Sequence, residues 1–260
     1  MIVSAWRGHY RMTTNDEHAR LAGRLARALR AELLPAGGRT EEFAFAAAEH
    51  DRGWIGLDEV PVWNDSSDRP FSVTDYPLGL RLPFYKQGVA EVEAQSAYAA
   101  LLCSMHYTNL PPEFMTHIVG GPAAGLSAAI ATEKARQNRI RSSLGLSSAA
   151  DEAMIARHLA LLQLADTLSL YLCTAVGADQ GDMSAPFAQL FRRAAAAVVG
   201  GEIALSRTSG DVVSLSPALF GGPLEASYRT RDVPVALIEE KGIAAAYAHT
   251  ASAETHCTIG

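Results

Sequence analysis

The stretch Ala156–Cys173, ARHLALLQLADTLSLYLC, decides how the rest of the chain is read. Past its first turn it is apolar on nearly every face, which marks a helix buried all round. The segment 150–175 is therefore expected to be the central helix of the fold. One charge interrupts it. Asp166 stands between LLQLA and TLSLYL, where a carboxylate costs several kcal/mol unless a partner offsets its desolvation. Asp166 is either half of a buried ion pair or a ligand to a cation.

Two other helical segments offer partners. His18 lies in TTNDEHARLAG, and Leu21, Ala22 and Leu25 follow it at helical spacing, so it points with the core face. His50 and Asp51 close the segment EEFAFAAAEHD. Adjacent residues on a helix differ by about 100° in direction. Both can face one ion only if it sits near the helix end or the helix is tilted toward it. Imidazole and carboxylate together suit Zn, Fe, Mn, Ni or Co. His106, in SMHYT, is a fifth candidate ligand. His158, two turns before Asp166, points about 80° away from it and reads as a supporting group or a surface residue.

Outward from these motifs the chain organises as follows. Residues 1–12 read as a short strand or hairpin. Thr14 and Glu17 form a capping-box pattern that starts the first helix. A second helix covers 40–51. The polar excursion WIGLDEVPVWNDSSDRPFSVTDYP, residues 54–77, reads as a long loop able to wall a pocket. Helix resumes over 79–107, again from about 112, and over 150–175. After about 185 the texture changes to short β-branched segments, EIALSRT, DVVSLSP and EASYRTRDV. The expected fold is mainly α, with a helical core over 1–185. A small β-rich appendage over 186–260 would pack on it, and the N-terminal strand could join that sheet.

Bulk properties narrow the function. Formal net charge is −6, which gives no electrostatic reason to expect nucleic acid or an anionic membrane as a partner. Three cysteines, Cys103, Cys173 and Cys257, show no paired spacing, so a reducing compartment is the expectation. With no signal-peptide pattern and no long apolar run, the plain reading is a cytoplasmic protein. There is no P-loop, dinucleotide fingerprint or nucleophile elbow. The histidine and cysteine of THCTIG at the C-terminus read as a frayed tail.

The motifs HxxLAG (His18–Gly23), EHDRGW (Glu49–Trp54), SMHYT (Ser104–Thr108) and LQLADTLSLYLC (Leu162–Cys173) resemble a family of uncharacterised bacterial proteins of unknown function, DUF3891. RPFSVTDYPL and AYAALLCSMHYTNL extend the likeness. Through the order His, His-Asp, Asp on helices, the chain is also similar to the HD superfamily of metal-dependent phosphohydrolases and oxygenases. That resemblance implies an HD-domain-like helical core. It implies His18, His50, Asp51 and Asp166 as metal ligands, with one or two divalent ions per chain. The dinuclear iron oxygenases of that superfamily use two further histidines, for which the chain offers His106 and His117.

The expected function is hydrolysis of a small polar, phosphorylated molecule by a metal-activated water. Asp166 and His106 would handle protons, and Arg52 would offset substrate charge. The alternatives are a dinuclear iron oxygenase and a non-catalytic metal-binding scaffold. Trp54, Lys86, Tyr107 and Thr108 are weaker pocket candidates. Lys134, Arg136, Arg139 and Arg141 read as a solvated charged face that could also hold phosphate. The expected partner is a small-molecule substrate, with a homodimer compatible with the Ala-rich helices.

Overall fold

The computed structural model describes residues 1–110, 125–174, 185–207 and 211–260. The chain opens with a hairpin, β1 (Ile2–Trp6) and β2 (His9–Thr13), turned by Arg7 and Gly8 at positive φ. Three helices follow: α1 (Asn15–Ala28), α2 (Thr40–Glu49) and α3 (Leu78–Glu93). Between α2 and α3 the loop holds a two-stranded ribbon, β3 (Trp63–Asn64) and β4 (Arg69–Pro70). Then come α4 (Ala97–Thr108), α5 (Leu126–Leu144), α6 (Ala149–Thr174) and α7 (Ala185–Val199). The remainder is β5 (Ala204–Arg207), β6 (Val212–Ser216), β7 (Leu224–Pro234), α8 (Val235–Lys241), α9 (Ile243–His249) and β8 (Ala253–Ile259). No helix among the described residues is long and apolar enough to cross a membrane.

The mainly-α, HD-like fold expected from the sequence is overturned by the sheet. Six strands pair in the order β1-β2-β7-β8-β6-β5, antiparallel except for the parallel pair β6 and β8. The sheet draws on both ends of the chain and is curled, too large to be a minor β region beside an α domain. The tail read as frayed is β8, an inner strand with Cys257 and Ile259 buried.

Strand β7 runs between two cores. Ala226, Tyr228 and Thr230 are buried at alternate positions, as one face of a strand requires. The next buried residue is Val233, of the opposite parity and hence on the other face. Ala226 and Tyr228 belong to the main core, while Val233 packs with Met1, Met12, Ile238 and Ala246 in a second, smaller core. The strand thus faces the long helices first and the α8–α9 pair afterwards.

Helix α6 is central, as its apolar sequence demands. It packs against α1, α2, α4 and α7, and Tyr228 Oη donates to the Leu172 carbonyl at 2.9 Å to tie it to β7. Helix α1 is anchored at its start. The Glu17 amide donates to Thr14 Oγ1 at 3.2 Å, half of the expected capping box. The Glu17 carboxylate accepts instead from the Arg229 amide of β7 at 3.0 Å.

Two close approaches set the helix spacing around residue 50. A Cβ on Gly23 of α1 would stand 2.5 Å from Ala48 Cβ on α2. A Cβ on Gly88 of α3 would stand 2.4 Å from the Gly53 amide nitrogen. Backbone therefore meets α2 and the turn after it from two sides. Gly23→Ala and Gly88→Ala are each expected to cost about 1–3 kcal/mol by overpacking. Urea denaturation checks this, and midpoints unchanged from wild type would contradict so tight an approach.

Candidate metal centre

Helix α2 ends where its polar pair must act. His50 is the last residue in helical conformation (φ −59°, ψ −30°), and Asp51 leaves it (φ −103°, ψ 22°). This departure lets two neighbours, about 100° apart on a regular helix, face the same space. His18 arrives from the first turn of α1, His106 from the last turn of α4 and Asp166 from the middle of α6. All five are buried.

Their donor atoms converge. His18 Nε2 lies 3.1 Å from Asp51 Oδ2 and 3.7 Å from Asp166 Oδ1. His50 Nε2 lies 3.4 Å from Asp166 Oδ1 and 3.8 Å from Asp51 Oδ2. His106 Nε2 lies 3.7 Å from Asp166 Oδ2. Ligands about 2.0–2.2 Å from one ion are separated by about 2.8–3.6 Å in octahedral or tetrahedral geometry. The observed edges match that range or exceed it slightly. Two triads can hold an ion, His18/His50/Asp51 and His50/His106/Asp166, each with donors within 4.8 Å of one another.

The remote ring nitrogens fix the tautomers. Ser169 Oγ donates its one proton to the Asp166 carbonyl at 2.8 Å, so it accepts from His18 Nδ1 at 2.7 Å. His50 Nδ1 donates to the Ala47 carbonyl at 2.8 Å. In the neutral rings both Nε2 atoms are then lone pairs aimed at carboxylates. Such remote hydrogen bonds are what orient imidazoles that bind metal ions.

Without an ion a proton takes that place. Burial disfavours charge on His50, but Asp51, Asp166 and the Ala47 carbonyl outweigh it and raise its pKa to about 9. Burial would raise Asp51, yet His50, His18 and His106 hold it down to about 2. Asp166 is likewise lowered against its burial, first by His50. His106 goes the other way. Burial dominates and lowers it to about 4, with Asp166 opposing.

The cluster opens on a small cavity of about 40 Å³, walled also by Trp54, Val73, Arg81, Tyr85, Tyr107 and Phe187. Val73 brings the long loop into the wall. Tyr85 and Tyr107 stack with centroids 4.2 Å apart, and beyond them lies a larger, mainly apolar cavity of about 470 Å³ that also touches Lys86 and Thr108. Tyr107 Oη donates to the His50 carbonyl and helps hold the doublet.

Other candidates lie elsewhere. Arg52, proposed to meet substrate, turns away and pairs with Glu91 at 2.8 Å and Glu49 at 3.3 Å. Arg136 and Arg139 pair with Glu93, and Arg141 with Glu152, so the three arginines of that run are engaged in ion pairs. His158 is a core residue, stacked on Phe43 and hydrogen-bonded through Nδ1 to Tyr98 Oη at 2.8 Å. His117 lies outside the described residues. Sequence reasoning missed Ser169 and Arg81. Ser169 sits three residues after Asp166 on the same helix. Arg81, between Leu80 and Leu82, carries a charge in an apolar setting much as Asp166 does.

No curated protein and no solved structure matches the chain. A family described as "Protein of unknown function (DUF3891)" matches residues 1–234 of the 260, covering every donor in the cluster. The chain belongs to the DUF3891 family of proteins of unknown function.

Proposed function

We propose that the protein is a metal-dependent hydrolase of a small polar, phosphorylated molecule. One observation carries the metal: two histidine Nε2 lone pairs and two carboxylates face one another across 3.1–3.8 Å, with both remote nitrogens already committed. Acceptors brought so close are held together by a positive charge, and a divalent ion fits where a proton otherwise sits. His18, His50, Asp51 and Asp166 would hold it. A divalent ion there supplies Lewis acidity and lowers the pKa of a bound water. The side chains do the rest. Asp51 and Asp166 stay ionised at neutral pH, the His18 and His50 rings are held in one orientation, and Trp54 and Phe187 help exclude bulk water. His106 is neutral at pH 7, and its Nε2 lies beside Asp166, where it would add a third imidazole to the site.

The two overlapping triads favour a second reading, a dinuclear centre and oxygenase chemistry. His50 argues against it. Both triads require this residue, yet it offers only Nε2, because Nδ1 is spent on Ala47.

Metal content of protein purified without added metal, read with its electronic spectrum, separates the two. One ion per chain with no iron chromophore is expected, together with release of phosphate from small phosphomonoesters. Two irons per chain would replace the hydrolase with the oxygenase. Asp166→Ala is expected to abolish metal retention and keep most of the fold. Retained metal with a collapsed melting temperature would instead make Asp166 a buried ion-pair partner.

A pH dependence follows from His50. Its pKa is raised to about 9, so the metal-free protein carries that proton at pH 7. The stabilisation it gives the metal-free fold is complete below about 6.5, the unfolded value, and is lost as pH rises through 9. A metal needs the neutral ring, so its binding should expel about one proton per chain at pH 7. Apparent affinity should rise about tenfold per pH unit up to about 9 and then level off. Calorimetry in buffers of different ionisation enthalpy measures the released proton. No release at pH 7 would mean that His50 is not a ligand.

A further inference from the structure

Arg81 is 1% exposed and lies in the first turn of α3. Its Nη1 donates to the Val73 carbonyl at 3.2 Å and to Tyr85 Oη at 3.4 Å, and its guanidinium lies 5.5 Å from the Trp54 ring centroid. Nε and Nη2 are buried with no hydrogen-bond partner. Among the described residues no carboxylate comes within 4.0 Å of it. A fully buried guanidinium with only neutral contacts is an unusual and costly arrangement. The side chain lines the same small cavity as His18, His50, Asp51, His106 and Asp166.

From this arrangement we infer that Arg81 is the oxyanion receptor of the site, binding a phosphate or carboxylate group of the substrate through Nε and Nη2. The inference rests on the metal-dependent reading above and gives it a substrate class. Nε and one Nη of a guanidinium form a planar fork that matches two oxygens of such a group. The charges agree. Asp51 and Asp166 cancel a divalent ion, the imidazoles are neutral as ligands, and Arg81 leaves one net positive charge in the cavity. A carboxylate or a monoanionic phosphate restores neutrality. The cavity, about 40 Å³, has room for a few water-sized groups, so it admits the reacting head of a substrate and leaves its body outside.

The test is calorimetric titration of metal-loaded protein with inorganic phosphate, with formate as a second arm. Wild type should bind one phosphate or formate per chain, and the preferred anion tells which group the substrate carries. Arg81→Gln should weaken that binding at least tenfold with unchanged metal content, and Arg81→Lys should recover part of it. Metal-loaded wild type that binds neither anion, or an R81Q protein that binds as wild type does, overturns the inference. Should R81Q fail to fold, anomalous diffraction from wild-type crystals soaked in arsenate decides. Arsenic against the Arg81 guanidinium supports the receptor, and arsenic elsewhere or absent refutes it. Metal analysis of the same samples keeps the two readings apart. Arg81-dependent phosphate binding by wild type that retains no metal would sink the hydrolase and leave the oxyanion receptor standing.

Discussion

Two carboxylates share a space from which water is largely excluded, and the protein is arranged around that fact. Asp51 and Asp166 are each at most 7% exposed, and neither has an arginine or lysine within ion-pairing distance among the described residues. What faces them is imidazole, one ring from each of three helices. An arrangement of this kind tolerates little movement, because a carboxylate that loses its partner inside a protein strands its charge. The helices are correspondingly fixed. Glycine contacts bring α1 and α3 onto α2 and its following turn, Ser169 and Ala47 hold two of the rings, and Tyr228 pins α6 to the sheet.

The convergence of His18, His50, Asp51 and Asp166 was legible because each residue breaks or closes an apolar helical pattern, and a polar break in a buried helix demands a physical reason. The N-terminal hairpin and three of the later strands were legible too, and so was their joining in one sheet, but the extent of that sheet was not. Its strands are short, come from opposite ends of the chain and carry exposed polar residues, so no single segment announces six-stranded pairing. In β7 the alternation changes phase between Thr230 and Val233, which blurs the period-two signal where the strand passes between cores. The C-terminal strand looked like a tail because its neighbours β6 and β7 are remote in sequence, and pairing rather than local preference makes it a strand.

Arg52 and Arg81 show how burial sorts similar side chains. Arg52 follows Asp51 directly, yet the chain turns it toward Glu49 and Glu91 at the surface, where exposed ion pairs contribute little. Arg81 is 29 positions farther along and is folded inward. Sequence proximity favoured the first, while three-dimensional packing selected the second. The clue was compositional: an arginine flanked by leucines calls for the same question as an aspartate flanked by them.

Strand β8 joins the hairpin β5–β6 to the rest of the sheet, and it follows the sheet's other five strands in chain order. During synthesis the ribosome releases every helix and five of the six strands of that sheet before this joining piece emerges. Until then β7 and β6 each present an unpaired edge, open to pairing with another nascent chain. The helices that carry the histidines can assemble early from contacts nearer in sequence, whereas the sheet must wait. A product stalled or clipped before β8 would therefore carry a formed cluster on a body with two sticky edges, a product prone to aggregate even with its chemistry in place.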